Sequence, residues 1–315
     1  MLWRISAVVI FNCMNILVTG GTGFLGRHLV PHLKKEGHSV IVINSKNCDL
    51  RDKANLLQFK DEKFDRIYHL AAWTKAGDFC LYHQGEQWII NQQINTNVLW
   101  FWKEFQSQAV LVAMGTSCAY PQGEMNLKEE DYMAGEPDKD LYTYAMTKRM
   151  LYTGLLALNH QFGFKYRYLI PSTLYGTLFE KHDHHFIFDL IAKIHAGKTE
   201  GKDVVLWGTG QQVRELIYAP DAVRLIDAAV NRQESDILNL GVGRGYTIRE
   251  YAEMICKIIG YDHQKIKYDT THPYSGMKKR VLDTSKVKKL FPDFKFTSLD
   301  KGIEVTVDYY LSIYR

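Results

Sequence analysis

The chain has 315 residues, 46% of them hydrophobic, with 39 basic against 35 acidic side chains and a formal net charge of +4. That apolar fraction fills a core of this size and excludes a mostly disordered chain. The mild, dispersed charge excludes a nucleic-acid-binding tail and suits a small anionic substrate.

Ile5 to Phe11 is an apolar run behind Arg4, shorter than the ~20 residues that span a bilayer. Met14 would make a natural first residue, so residues 1–13 are expected to be an extension without a role, and no membrane partner is expected. From Asn15 to Thr19 an apolar run ends in glycines; Phe24 to Glu36 has helical spacing, and Gly37 leads into a second apolar run, Ser39 to Ile43. A strand, helix and strand joined by a short glycine-rich turn is the unit of a parallel sheet. The pattern continues with strands at Arg66 to Leu70, Ala109 to Met114 and Lys165 to Ile170, and helices at Gln87 to Gln106 and Tyr142 to His160. This alternation predicts an α/β fold with a doubly wound parallel sheet of Rossmann type over residues 14–171.

After Pro171 the character changes. A histidine-rich loop (His182, His184, His185) precedes a helix from about His185 to Ala196 and a β segment at Val204 to Trp207. Asp236 to Gly241 and Ile266 to Tyr268 read as strands, and Ala219 to Asn231, Ile248 to Ile259 and Ser298 to Tyr314 as helices. Residues 172–315 are therefore expected to form mainly a smaller, discontinuous substrate domain, with some segments returning to the first.

Gly20, Gly23 and Gly26 form GxxGxxG, with Phe24 and Leu25 opening the helix, so backbone N–H groups can approach a pyrophosphate. Asp49-Leu50 follows the second strand where an adenine ring would lie. Leu70-Ala71-Ala72 ends the third with small residues where phosphates and ribose would pass. The second strand ends in Asn44-Ser45-Lys46. An acidic residue there would bind a ribose 2′-OH and repel a phosphate; Lys46 could attract one, so NAD(H) and NADP(H) both stay open.

Tyr144-Ala145-Met146-Thr147-Lys148 places a lysine one helical turn from a tyrosine. A phenol of pKa ~10 exchanges protons poorly at neutral pH. The lysine's charge favours phenolate, and its ammonium can hold a nicotinamide ribose. A hydroxyl from Thr116 or Ser117 could bind the same substrate oxygen, making a relay for alcohol–ketone interconversion. Arg214 suits a pyrophosphate, since a guanidinium can pair with two phosphate oxygens. The five cysteines, Cys13, Cys48, Cys80, Cys118 and Cys256, show no metal-ligand spacing; they read as reduced thiols of a cytoplasmic protein, with no metal expected.

GxxGxxG, Ser/Thr and YxxxK in this order resemble the extended short-chain dehydrogenase/reductase (NAD-dependent epimerase/dehydratase) family from Met14 onward. The resemblance implies a nicotinamide cofactor in the first domain and a nucleotide-linked sugar in the second. Asn91 and Asn97 sit as that family's helix asparagines do. A narrower resemblance, to the GDP-fucose synthase family, lies in Gly115-Thr116-Ser117-Cys118-Ala119-Tyr120-Pro121, in Pro171 to Gly176, and in Trp207 to Gly210 through Arg214-Glu215. It implies an oxidoreductase acting at C4 of a GDP-linked manno-type sugar, a 6-deoxyhexose or a heptose. It also implies C3/C5 epimerisation with Cys118 as base and His185 as acid, and Trp207 and Arg280 lining the nucleotide pocket. Departures at Thr116, at Thr177 after Gly176, and in the shortened loop to His185 imply an altered sugar pocket.

A 4-epimerase that recycles its cofactor and a non-catalytic NAD(P)-binding scaffold are the alternatives. The resemblance also implies a homodimer through the helices Gln87 to Gln106 and Tyr142 to His160. Their Trp100, Phe101, Trp102, Leu155 and Leu156 would equally suit burial within one chain.

Overall fold

The computed structural model describes residues 13–75, 79–123, 126–180, 183, 185–232, 234–271 and 277–314. All of the expected N-terminal extension except Cys13, and His182 and His184 of the histidine-rich loop, lie outside the described residues.

The first half runs β1 (Asn15–Thr19), α1 (Phe24–Lys35), β2 (Ser39–Ile43), β3 (Arg66–His69), α2 (Phe79–Tyr82), α3 (Gln84–Phe105), β4 (Val110–Met114), α4 (Tyr142–Phe162) and β5 (Tyr166–Pro171). Then follow β6 (Thr173–Tyr175), α5 (Phe186–Glu200), β7 (Val205–Trp207), β8 (Val213–Arg214), β9 (Leu216–Tyr218), α6 (Ala219–Val230) and β10 (Asp236–Leu240). The chain ends with β11 (Tyr246–Thr247), α7 (Ile248–Ile259), β12 (Lys267–Asp269), β13 (Lys279–Arg280), α8 (Ser285–Leu290) and α9 (Leu299–Ile313).

Six strands form one sheet in the order β10-β5-β4-β3-β1-β2, every pair parallel. Along β1, Leu17 packs into the core shared with α3 and α4, whereas Ile16 and Val18 face the opposite core with α1 and α6. Such a sheet is covered on both faces, which is why its strands read as near-continuous apolar runs. The chain leaves β1 toward β2 on one side, and β3 lies on the other, so a crevice opens at the carboxyl ends of β1 and β3, the usual ligand position in this topology.

Asp236–Leu240, which read from sequence as part of the second half, pairs with β5 as the sixth strand of this sheet. A third hydrophobic cluster joins α5, α7 and α9 around Ile191, Ile255 and Ile303. The three-stranded sheet β11-β8-β13 belongs to the same half. Helix α5 does not stop at Ala196. An added Cβ on Gly197 would come within 2.4 Å of a Val204 methyl, so this glycine is a close-packing position, and the helix runs on to Gly201.

The apolar residues of α3 and α4 are divided between inside and outside. Phe101, Trp102 and Leu155 are buried in the chain's own core, with Trp102 Nε1 donating to the Ala109 carbonyl at 2.9 Å. Trp88, Ile89, Met150 and Leu156 remain exposed.

Candidate active site

β1 delivers Thr19 to the glycine turn, where the Gly23 N–H bonds the Gly20 carbonyl at 3.0 Å and the Arg27 N–H bonds Gly23 at 2.9 Å. An added Cβ on Gly26 would lie 2.4 Å from the Gly21 carbonyl oxygen, so α1 can start this tightly on its turn only with glycine there. Gly23 is the N-cap and brings no side chain to the first amides, among them those of Phe24 and Leu25, leaving them available to a phosphate. Leu70-Ala71-Ala72 follows β3 directly beside this turn, with the Leu70 and Ala71 amides bonded to Thr19.

After β2, Asn44 Oδ1 accepts from the Lys46 amide and Asn47 Oδ1 accepts from the Asn44 amide, at 2.9 and 2.8 Å. The reciprocal caps fix a tight turn that carries Lys46. Asp49 is occupied by Arg51, whose guanidinium holds its carboxyl below the usual range. The Leu50 side chain is buried in the core, so its backbone is what it can offer a ligand.

Helix α3 braces these loops with amide side chains. Asn91 receives the Trp73 N–H at 2.8 Å and donates to the Trp73 carbonyl at 3.0 Å; Asn97 donates to Leu50 and Arg51 carbonyls at 2.8 and 3.0 Å. Asn95, which sequence reasoning passed over, reaches His69 at the end of β3 and Thr147 of α4. Its position one helical turn from Asn91 was the available signal.

Lys148 is buried, and its Nζ donates to the carbonyl of Met114, the last residue of β4, at 2.9 Å. Burial pulls its pKa down to about 8. Burial is also the largest influence on the Tyr144 phenol, which it raises, helped by the neighbouring Cys118 and Cys80; Thr116 acts in the opposite sense. Desolvation favours the uncharged form of both groups. Thr116 is the hydroxyl that faces Tyr144. Ser117 is buried and opens the single 3₁₀ turn Ser117–Ala119, which Thr116 caps by accepting from the Cys118 N–H at 3.3 Å.

Arg149, adjacent to Lys148 on α4, holds that turn in place. Its buried guanidinium donates to the carbonyls of Ala119, Gly135 and Ala134 at 2.8, 2.7 and 2.8 Å. Nothing in the local sequence distinguishes it from a surface arginine.

Arg280 comes in from β13, and its Nη1 lies 3.2 Å from Cys118 Sγ. Its Nε and Nη2 are buried without a hydrogen-bond partner among the described residues. Arg280 and Arg214 are register partners on the parallel strands β13 and β8, and Tyr246 of β11 pairs with Arg214 on the other side. Register partners share a face, so the two arginines are neighbours. Arg214 Nη1 donates to the Val213 and Met277 carbonyls. Trp207 ends β7, 39% exposed, with Lys193 Nζ 5.4 Å from its ring centroid.

His185 is the N-cap residue of α5, and its ring packs on Phe24 and Phe188, with centroids 6.1 and 5.9 Å away. Burial lowers its pKa and favours the neutral imidazole. These contacts put it beside the start of α1, just after the glycine turn. Arg27 secures the loop ahead of it, donating to the Thr22 and Leu178 carbonyls at 2.7 and 2.6 Å and pairing with Glu180 and Asp183.

The profile of the NAD dependent epimerase/dehydratase family matches residues 16–241. The chain belongs to that family. It is 30% identical over 311 residues to a GDP-L-colitose synthase of Yersinia pseudotuberculosis, covering 95% of this chain and 98% of the relative. Against a GDP-L-fucose synthase of Dictyostelium discoideum it is 27% identical over 309 residues, with 95% and 96% covered. The crystal structure of a GDP-L-fucose synthetase from Naegleria fowleri bound to NADP superposes with a TM-score of 0.82 at 27% identity, covering 96% of this chain and 95% of that one.

As a member of the epimerase/dehydratase family the protein is an NAD(P)-dependent enzyme. Its glycine turn, the Leu70-Ala71-Ala72 segment and Lys148 fit such a cofactor: unobstructed amides for the pyrophosphate and an ammonium for the ribose. The arrangement can give a proton to an oxygen held between Thr116 and Tyr144 while binding an anion at Arg280 and Arg214. Among the described residues no helix is long and apolar enough to cross a membrane, and the five cysteines are free.

Proposed function

We propose that the protein reduces the 4-keto group of a GDP-linked manno-type sugar, a 6-deoxyhexose or a heptose. The observation that carries this reading is the convergence of Thr116, Tyr144 and Lys148 at the end of β4 with Arg280 against Cys118. The relatives named GDP-L-colitose synthase and GDP-L-fucose synthase support a GDP-linked substrate.

Bound NAD(P)H supplies a hydride to C4. Tyr144 gives its phenolic proton to the C4 oxygen, a step suited to a phenol that burial holds in its protonated form. Thr116 donates a hydrogen bond to the same oxygen, and Lys148 holds the cofactor ribose. Arg280 and Arg214 take the diphosphate, consistent with the unpartnered Nε and Nη2 of Arg280. Epimerisation at C3 and C5 uses Cys118, beside Arg280, as base and His185, packed on Phe24, as acid on the opposite face of the sugar. The parallel six-stranded sheet is then the cofactor side and the β11-β8-β13 sheet the nucleotide-sugar side.

A homodimer forms through α3 and α4, covering the outward Trp88, Ile89, Met150 and Leu156, in a cytoplasm that keeps the cysteines reduced. Incubation with GDP-4-keto-6-deoxymannose and NADPH or NADH in deuterated water, followed by mass spectrometry, tests the chemistry. A product reduced at C4 supports it. Solvent deuterium at C3 and C5 that is lost in Cys118→Ser and His185→Asn supports epimerisation by that pair, and no conversion overturns the reading for this sugar.

A further inference from the structure

Four buried groups form a continuous hydrogen-bonded chain beneath the cofactor turn. The Ala71 N–H donates to Thr19 Oγ1 at 3.2 Å; Thr19 Oγ1 lies 2.9 Å from His69 Nδ1; His69 Nε2 lies 3.0 Å from Asn95 Oδ1; and Asn95 Nδ2 donates to the Thr147 carbonyl at 3.3 Å. Thr19, His69, Asn95 and Thr147 are all at most 5% exposed.

The donors and acceptors fix one consistent assignment. A carbonyl can only accept, so the Asn95 amide nitrogen must face Thr147, which turns the Asn95 oxygen toward His69. Nε2 must then carry the proton, leaving Nδ1 to accept from the Thr19 hydroxyl, whose oxygen in turn accepts from Ala71. Every polar group is used once, and the imidazole is neutral, as burial requires: its pKa is pulled down to about 4.

The chain touches three functional segments. Thr19 immediately precedes the glycine turn, His69 immediately precedes Leu70-Ala71-Ala72, and Thr147 lies on α4 between Tyr144 and Lys148. None of these groups is itself placed on the reacting atoms. We propose that Thr19, His69 and Asn95 form a positioning relay that sets the height of the catalytic helix α4 against the cofactor turn. His69 is its central residue, required as the neutral Nε2–H tautomer. A displacement of about 1 Å between proton donor and bound cofactor is enough to cost on the order of 100-fold in rate.

His69→Leu removes both links, whereas His69→Gln keeps a donor near the Nε2 position and should restore part of the loss. The milder Thr19→Val, nearly isosteric, breaks only the Thr19 end. Gln106→Leu is the control: Gln106 is an equally buried amide at the far end of α3, taking the Phe64 N–H at 3.1 Å and donating to the Glu62 carbonyl at 2.8 Å.

We expect His69→Leu, Thr19→Val and Asn95→Leu to lower kcat roughly 10- to 100-fold with cofactor Kd and sugar KM within about threefold. The His69→Leu/Asn95→Leu double variant should be no slower than either single one. Gln106→Leu should lower Tm with kcat unchanged.

This kinetic arm rests on the proposed reductase activity. A second arm needs only cofactor binding: NADPH or NADH should slow amide exchange in residues 144–151 of the wild type and of Gln106→Leu, and not of His69→Leu or Thr19→Val. Folded His69→Leu and Thr19→Val proteins with wild-type kcat would overturn the relay, as would intact cofactor protection of α4 in them, or an equal rate loss in Gln106→Leu. A wild type that binds cofactor but reduces no GDP-4-keto sugar counts against the proposed function and leaves the exchange arm to decide the relay.

Discussion

Raising the pH should discharge Lys148 well before an ordinary lysine. Its pKa falls from 10.5 to about 8 because the side chain is buried, which corresponds to about 3 kcal/mol against the ammonium form. The Tyr144 phenol is shifted the other way by burial, so it keeps its proton across the same range. Of these two groups only Lys148 therefore titrates between pH 7 and 10. With the cofactor as varied substrate, kcat/KM reports groups of the free enzyme. It should be level below pH ~7.5 and fall about tenfold per pH unit above ~8, as the charge that holds the ribose is lost. Lys148→Arg, whose guanidinium stays charged, should lose absolute activity but show no such fall below pH 10. Unfolding does not mimic the effect. A lysine whose folded pKa lies below its unfolded value binds less proton when folded, so this group makes the fold more stable as pH rises from 8 to 10.5. A profile level to pH 10, or the same midpoint in Lys148→Arg, would refute the reasoning.

Three further perturbations probe the surrounding structure. Gly26→Ala puts a Cβ 2.4 Å from a backbone oxygen, so α1 must back away from its turn; NAD(P)H affinity by fluorescence titration should drop at least about tenfold, and unchanged affinity would show that α1 does not approach the pyrophosphate. Arg149→Met leaves three carbonyls without their donor. It should cost about 3–5 kcal/mol and lower Tm by roughly 10 °C in calorimetry, an effect that a wild-type Tm would rule out. Arg280→Met should weaken GDP binding by roughly tenfold or more in titration calorimetry, while Trp207→Ala, at a residue 39% exposed, should weaken it less; the reverse ranking would move the nucleotide site toward β7.

The cofactor half was legible because its signals are local. A glycine triplet between an apolar run and a helical period, and a tyrosine and lysine at i and i+4, need only neighbouring residues to be recognised, and both stand where they were expected. Helix ends marked by local chemistry were equally readable: Thr247 and Glu250 form a capping box at the start of α7, and Gly260 ends it. Gly197 misled because a glycine inside a helix looks like a stop until the Val204 side chain packed against it is known.

The remainder depended on contacts between residues far apart in sequence. Burial, which no residue type announces, raises the Tyr144 phenol's pKa and pulls that of Lys148 down to about 8. Strand pairing decided that Asp236–Leu240 completes the first sheet and that Arg280 meets Cys118, and helix packing set His185 against Phe24. Periodicity and turn chemistry are properties of a short stretch, and the sequence by itself determined the fold class, the glycine turn and the placing of Tyr144 and Lys148 one turn apart on a helix. Burial and hydrogen-bond partnership belong to the packed chain, so only the tertiary structure decided which hydroxyl faces Tyr144, what holds Lys148, and that a buried histidine links the end of β1 through Asn95 to α4.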